Sequence, residues 1–145
     1  MNRAPLLVLV IGCFFLGLAC KPETSVQSGA VDFTAQIKPL FENRCINCHH
    51  SSALFGELNL ENHALAVKPR TAGPAIVEGK PDESRLYLVL TLPEGDRKAM
   101  PPTGHRIPKE EVELIKRWIA EGAKWPDGAA GVVKPMVNQK PSSGV

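Results

Sequence analysis

Aromatic residues are scarce in this chain: 6% of 145 residues, with one Tyr and two Trp. A core of protein side chains alone would be thin, and a large apolar cofactor would help to fill it. No basic stripe with interleaved aromatics is present, so nucleic acid is not an expected partner. No apolar run reaches the roughly 20 residues needed to span a bilayer as a mature helix. There is no second Cys-x-x-Cys pair, no His-x-x-x-His pair and no convincing signal for a two-stranded hairpin. What remains is ordinary for a small globular domain: 43% hydrophobic and 22% charged residues, with 17 Lys and Arg against 15 Asp and Glu.

The first residues read as an address. Arg3 supplies a positive n-region, and Leu6 to Leu18 form an apolar segment ending in Leu16-Gly17-Leu18-Ala19-Cys20. Small residues before a cysteine resemble a lipoprotein processing site, although Gly17 stands where a branched residue is more usual. The expectation is a signal peptide at 1–19 and a lipid on Cys20, anchoring an exported chain to a bacterial membrane on its periplasmic or cell-surface side. Cleavage after Ala19 leaving a free Cys20 thiol is the alternative. Either way Cys13 is removed, and Cys45 and Cys48 remain as a lone pair. Residues 20–31 are small and polar, a flexible tether. Residues 126–145 are rich in Gly, Pro and Ser without a period and are expected to be disordered, which leaves a domain at 32–125.

Three helical patterns lie within that domain. Asp32 is placed to cap a helix whose Phe33, Ile37, Leu40 and Phe41 share a face, with Pro39 forcing a kink or a start nearer Lys38. Pro81-Asp82-Glu83-Ser84 opens a second, through Leu86, Val89 and Leu90 to Pro93, too short to exclude a strand. Pro108 suits the first position of a third, in which Val112, Ile115, Trp118 and Ile119 form the buried stripe and Gly122 the stop. Gly- and Pro-rich loops join them. The domain reads as all-α.

Chemistry concentrates in Cys45-Ile46-Asn47-Cys48-His49, the C-x-x-C-H pattern of covalent haem attachment. Thiols three residues apart on one helical turn can reach both vinyl groups of a single porphyrin, and the histidine that follows can bind the iron. A disulfide, or half a zinc site with His49, His50 and His63, are the competing readings, the second weakened by the missing partner pair. A soft second axial ligand is available in Met100, which Pro101 and Pro102 hold toward extended backbone. His105, in the same loop, is its rival. His50 and His63 read as surface groups and Trp118 as a core residue; Arg97, Lys98 and Arg106 are candidates to pair with haem propionates.

The run from Asp32 to Trp125 resembles the planctomycete-type cytochrome c domain, a branch of the class I cytochromes c. The resemblance rests on Ile37-Lys38-Pro39-Leu40-Phe41 leading into the Cys45–His49 motif, then Gly56-Glu57-Leu58-Asn59-Leu60 and Gly73-Pro74-Ala75-Ile76-Val77. It continues through Gly79-Lys80-Pro81-Asp82-Glu83-Ser84, Met100-Pro101-Pro102 and Trp118-Ile119-Ala120-Glu121-Gly122-Ala123. Two positions depart from the pattern: His50 where Gly is usual, and Glu78 where Pro is common. The resemblance implies a small class I fold whose first and last helices cross beside one covalent haem c, with His49 and Met100 as axial ligands.

The sequence is thus expected to be a stand-alone lipoprotein form: a monomeric single-haem electron carrier, not an enzyme, exchanging electrons with redox proteins. A haem-based sensor or small peroxidase with a displaceable sixth ligand is one alternative. A non-haem disulfide or metal-binding lipoprotein is the other.

Overall fold

The structure, a computed structural model, describes residues 29–135. The expected signal peptide, Cys20 and its lipid, most of the expected tether and the last ten residues lie outside the described residues.

Asp32 caps the first helical segment as its position suggests. Its Oδ1 accepts the Ala35 N–H at 2.6 Å, while Gln36 Oε1 accepts the Asp32 N–H at 2.9 Å. Phe33–Ile37 form a π turn and α1 follows at Lys38–Arg44, with Pro39 inside its first turn. A proline has no N–H to continue the ladder, so the helix restarts at Lys38 rather than running unbroken from Phe33.

The second pattern divides in two: a 3₁₀ turn at Pro81–Glu83, then α3 at Arg85–Thr91. Ser84 between them is extended, with ψ 113°, and fully buried. Its hydroxyl accepts the Val77 N–H at 2.8 Å and donates to the Lys80 carbonyl at 2.9 Å, local bonds that compete with helix. Ahead of it, the single turn α2 spans His63–Ala66.

The longest helix, α4, runs Lys109–Ala120 and buries Val112, Ile115, Trp118 and Ile119, the expected stripe. Pro108 sits one place earlier than expected, at the cap, where an extended backbone still lets its carbonyl accept the Glu111 and Val112 N–H groups. Gly122, with φ +95°, ends the helix: its N–H reaches the Ile119 carbonyl and that of Ala123 reaches Trp118, a Schellman closure.

Two expectations need correcting. The domain is helix-rich but not wholly α, because β1 (His49–His50) pairs antiparallel with β2 (Ala53–Leu54). The Ser51-Ser52 turn has no glycine to announce it. Side chains close it instead: Ser51 N–H and hydroxyl donate to the Glu61 carboxylate, and Ser52 N–H to His50 Nδ1.

The folded chain also outruns the expected domain limits at both ends. Val31 is buried, its N–H bonded to Glu121 Oε2 at 2.6 Å. Beyond Trp125, residues 126–135 fold back through the short helix α5 (Gly128–Gly131). Trp125 Nε1 donates to the Gly131 carbonyl at 2.7 Å, and buried Val133 donates its N–H to Glu61 at 2.9 Å. A Cβ at position 131 would collide with the Pro126 carbonyl, so this turn accepts only glycine.

Four of the aromatic residues, Phe33, Phe41, Trp118 and Trp125, are gathered in one knot. Phe33 stacks on Trp125 with centroids 4.4 Å apart, and Phe41 meets Trp118 edge-on at 5.8 Å. Trp118, 1% exposed, donates its Nε1–H to the Lys124 carbonyl at 3.1 Å. The knot joins the π turn and α1 to α4 and to the returning C-terminal segment, and α1 leaves it pointing into the Cys45 turn.

Candidate functional site

Cys45 is the C-cap of α1, and the chain then winds on in hydrogen-bonded turns rather than extending. Cys45 and Ile46 N–H both bond the Phe41 carbonyl, at 3.0 and 2.9 Å, and Cys48 and His49 N–H both bond Cys45, at 3.1 and 3.2 Å. Ile46, fully buried, pins the turn to the core, while Asn47 and Cys48 face outward. Both thiols are free. Burial, reinforced by nearby Glu111, pushes the free Cys45 thiol up to about 12, so it stays protonated at ordinary pH.

His49 follows in β1, held by the bond from Leu60 N–H to its carbonyl at 2.9 Å. Burial lowers its pKa, and the charge of Arg70 adds to that. The backbone of Phe55 and Leu58 is near enough to oppose the shift, but Nδ1 is buried with no hydrogen-bond partner. The imidazole is therefore neutral at ordinary pH, the form that binds metals. Among the described residues no group of three or more His, Cys, Asp or Glu side chains is placed to hold a metal ion.

Met100 reaches the same place from the far side of the sequence. Its N–H bonds the Val89 carbonyl at 2.9 Å, tying the loop to α3. Arg106 completes the fastening, donating to the carbonyls of Met100 (3.3 Å), Leu90 (2.7 Å) and Leu92 (2.8 Å).

Cys45, Cys48, His49 and Met100 all line one cavity of ≈ 360 Å³, whose other walls are largely apolar, among them Leu58, Leu60, Leu86 and Leu90. The volume falls within the range of about 300–1,000 Å³ typical of cofactor sites. His105 lines it as well, so the structure brings the rival of Met100 to the same cavity.

The remaining candidates lie elsewhere. His50 belongs to the hairpin turn, and His63, half-buried, packs on Trp125 with its Nε2 3.5 Å from Glu78. Trp118 packs on Phe33 and Phe41 and does not line the cavity. Of the cations expected at haem propionates, Arg97 and Lys98 are exposed and not part of the lining, and the Arg106 guanidinium is occupied by backbone carbonyls. The arginines that do line the cavity are Arg44, Arg70 and Arg85. No spacing signal in the sequence distinguishes these from other surface cations.

A pair of thiols and a neutral histidine on one wall, a thioether in the same cavity and apolar side chains between them fit a porphyrin bound in c-type fashion. The family model described as Planctomycete cytochrome C matches residues 45–104, from the first motif cysteine to just past Met100. Residues 45–104 thus match a planctomycete-type cytochrome c domain, in agreement with the resemblance read from the sequence. No curated protein and no solved structure matches the chain.

Proposed function

We propose that the protein is a single-haem c-type cytochrome that carries single electrons outside the cytoplasm. The convergence of Cys45, Cys48, His49 and Met100 on one apolar cavity carries this reading. Bound there, haem supplies a one-electron iron couple. Cys45 and Cys48 would hold it through thioethers, His49 and Met100 would ligate its iron, and the wall of leucines would exclude water. A His/Met pair raises the reduction potential relative to more basic ligation. The role is that of a carrier rather than an enzyme.

Exchange with redox proteins would occur where the haem edge meets solvent, beside exposed Cys48. Leu54 and Phe55, 53% and 63% exposed, sit on that hairpin and give a partner apolar surface to dock on. Processing after Ala19 and a lipid on Cys20 would hold the domain at a bacterial membrane, and residues 20–28 would set its reach.

The ligand assignment has a spectroscopic test. The oxidised wild type should show the deep-red thioether-to-iron absorption band, and Met100→Ala should lose it while keeping covalent haem. A wild type without the band would favour the sensor or peroxidase reading, with His105 or an open position as the sixth ligand. The anchor is tested separately: Cys20→Ala should move the protein from the membrane to the soluble fraction.

A further inference from the structure

Arg70 and Arg85 have no part in the ligand set, yet both line the cavity that contains it. Arg70 lies in the loop after α2, and Arg85 opens α3. They are close enough to feel one another: burial lowers the Arg70 pKa, the charge of Arg85 lowers it further, and Glu57 opposes both. Two guanidinium groups beside a largely apolar wall are costly unless an anion joins them.

The protein supplies little to balance them. The Glu57 carboxylate is engaged by Thr71, through the N–H at 2.9 Å and the hydroxyl at 3.1 Å. Arg70 donates from Nη1 to the Gly56 carbonyl at 2.9 Å, but its Nε is buried without a partner. Arg85 has no ion-pair partner among the described residues. The other cations near the site contrast with these two. Arg44 is paired with Glu111 at 3.1 Å, and Arg106 bonds three carbonyls.

We propose that Arg70 and Arg85 form a carboxylate site on the cavity wall that binds the propionate groups of the porphyrin. The planar guanidinium fork matches a carboxylate in two-point fashion, and a desolvated wall strengthens the pairing. Two fixed positive charges beside the cofactor favour the reduced iron, and they keep the propionates ionised. This rests on the reading of the cavity as a haem site and extends it: the arginine pair would hold the propionates by charge, in addition to the thioether anchors at Cys45 and Cys48.

The test is a redox titration across pH of the haem-loaded full chain, comparing wild type with Arg70→Gln, Arg85→Gln, the double Gln variant and the double Lys variant. The midpoint should fall in each single Gln variant and further in the double, and the ionisation linked to the midpoint should move to higher pH. The double Lys variant should recover most of the midpoint, which loss of the Gly56 bond alone would not allow. Retained haem with wild-type midpoint and pH dependence in the double Gln variant overturns the carboxylate site while leaving the haem reading intact. So does an unchanged midpoint accompanied by salt-sensitive loss of electron exchange with an acidic protein, which would make the pair a docking patch. A wild type that holds no haem overturns both.

Discussion

Around Phe33, Phe41, Trp118 and Trp125 the chain fills its own space, ring against ring. Around Cys45, His49 and Met100 it leaves a cavity of ≈ 360 Å³. The first region draws four aromatic residues from the two ends of the domain and closes them with indole hydrogen bonds. The second is walled by leucines from the middle of the chain and by loops that Arg106 and Ser84 fasten. A domain short of aromatics has placed four of them on one side and left the other, where Phe55 lines the cavity, for a ligand to complete. The two sides should therefore respond differently to damage: the aromatic knot through stability, the cavity through the properties of the bound group.

The largest stability effect is expected in the knot. Trp118→Ala should cost about 3–5 kcal/mol in denaturant unfolding of the haem-loaded protein, while the haem absorption spectrum of the folded fraction stays unchanged. A spectrum that changes as much as in Met100→Ala would break the division between the two regions.

Arg106→Ala strikes the other side. It removes three charge-assisted bonds to the carbonyls that place Met100, and should cost about 1.5–3 kcal/mol. Its signature is spectroscopic: a weakened thioether-to-iron band. A loss of stability with the band intact would show that Arg106 serves the fold rather than the ligand loop.

The smallest effect lies at the seam. Glu61 accepts from Ser51 and Asn59 through its carboxylate and from Val133 through its carbonyl, so it joins the hairpin beside the haem motif to the returning C-terminal segment. Its pKa is held below the ordinary 4.5 by the Ser51 hydroxyl and then the Asn59 amide. A carboxyl depressed on folding stabilises the protein at pH above its unfolded value, and that contribution is lost as pH falls through the folded one. Urea unfolding of the wild type between roughly pH 6 and pH 3 should thus lose slightly more stability than Glu61→Gln does. Equal losses would mean that the carboxylate is screened out.

Much of this arrangement was legible in the sequence. The motif spacing picked out Cys45, Cys48 and His49; Asp32 and Gly122 marked helix ends; Pro101 and Pro102 singled out Met100. Each of these signals is local, carried by residues adjacent to the feature they specify. The features that escaped depend on distant partners. The hairpin at His49–Leu54 is closed by Glu61, ten residues from Ser51. Val133 is ordered by a carbonyl far back in the chain, inside a segment whose composition suggested disorder. Arg70 and Arg85 reach the cavity, and Arg97 and Lys98 do not, because of the paths of Gly- and Pro-rich loops that no periodicity encodes. Pro108 falls at the cap rather than at the first helical position, because proline is compatible with both.

Everything proposed for the cavity depends on covalent attachment of haem through Cys45 and Cys48. Expression of the full chain with a cytochrome maturation system, followed by haem staining after denaturing electrophoresis, tests it most directly. A stained band is expected for the wild type and none for the Cys45→Ala/Cys48→Ala variant at equal protein load. A wild-type band that carries no haem, or a double variant that stains equally, would contradict it.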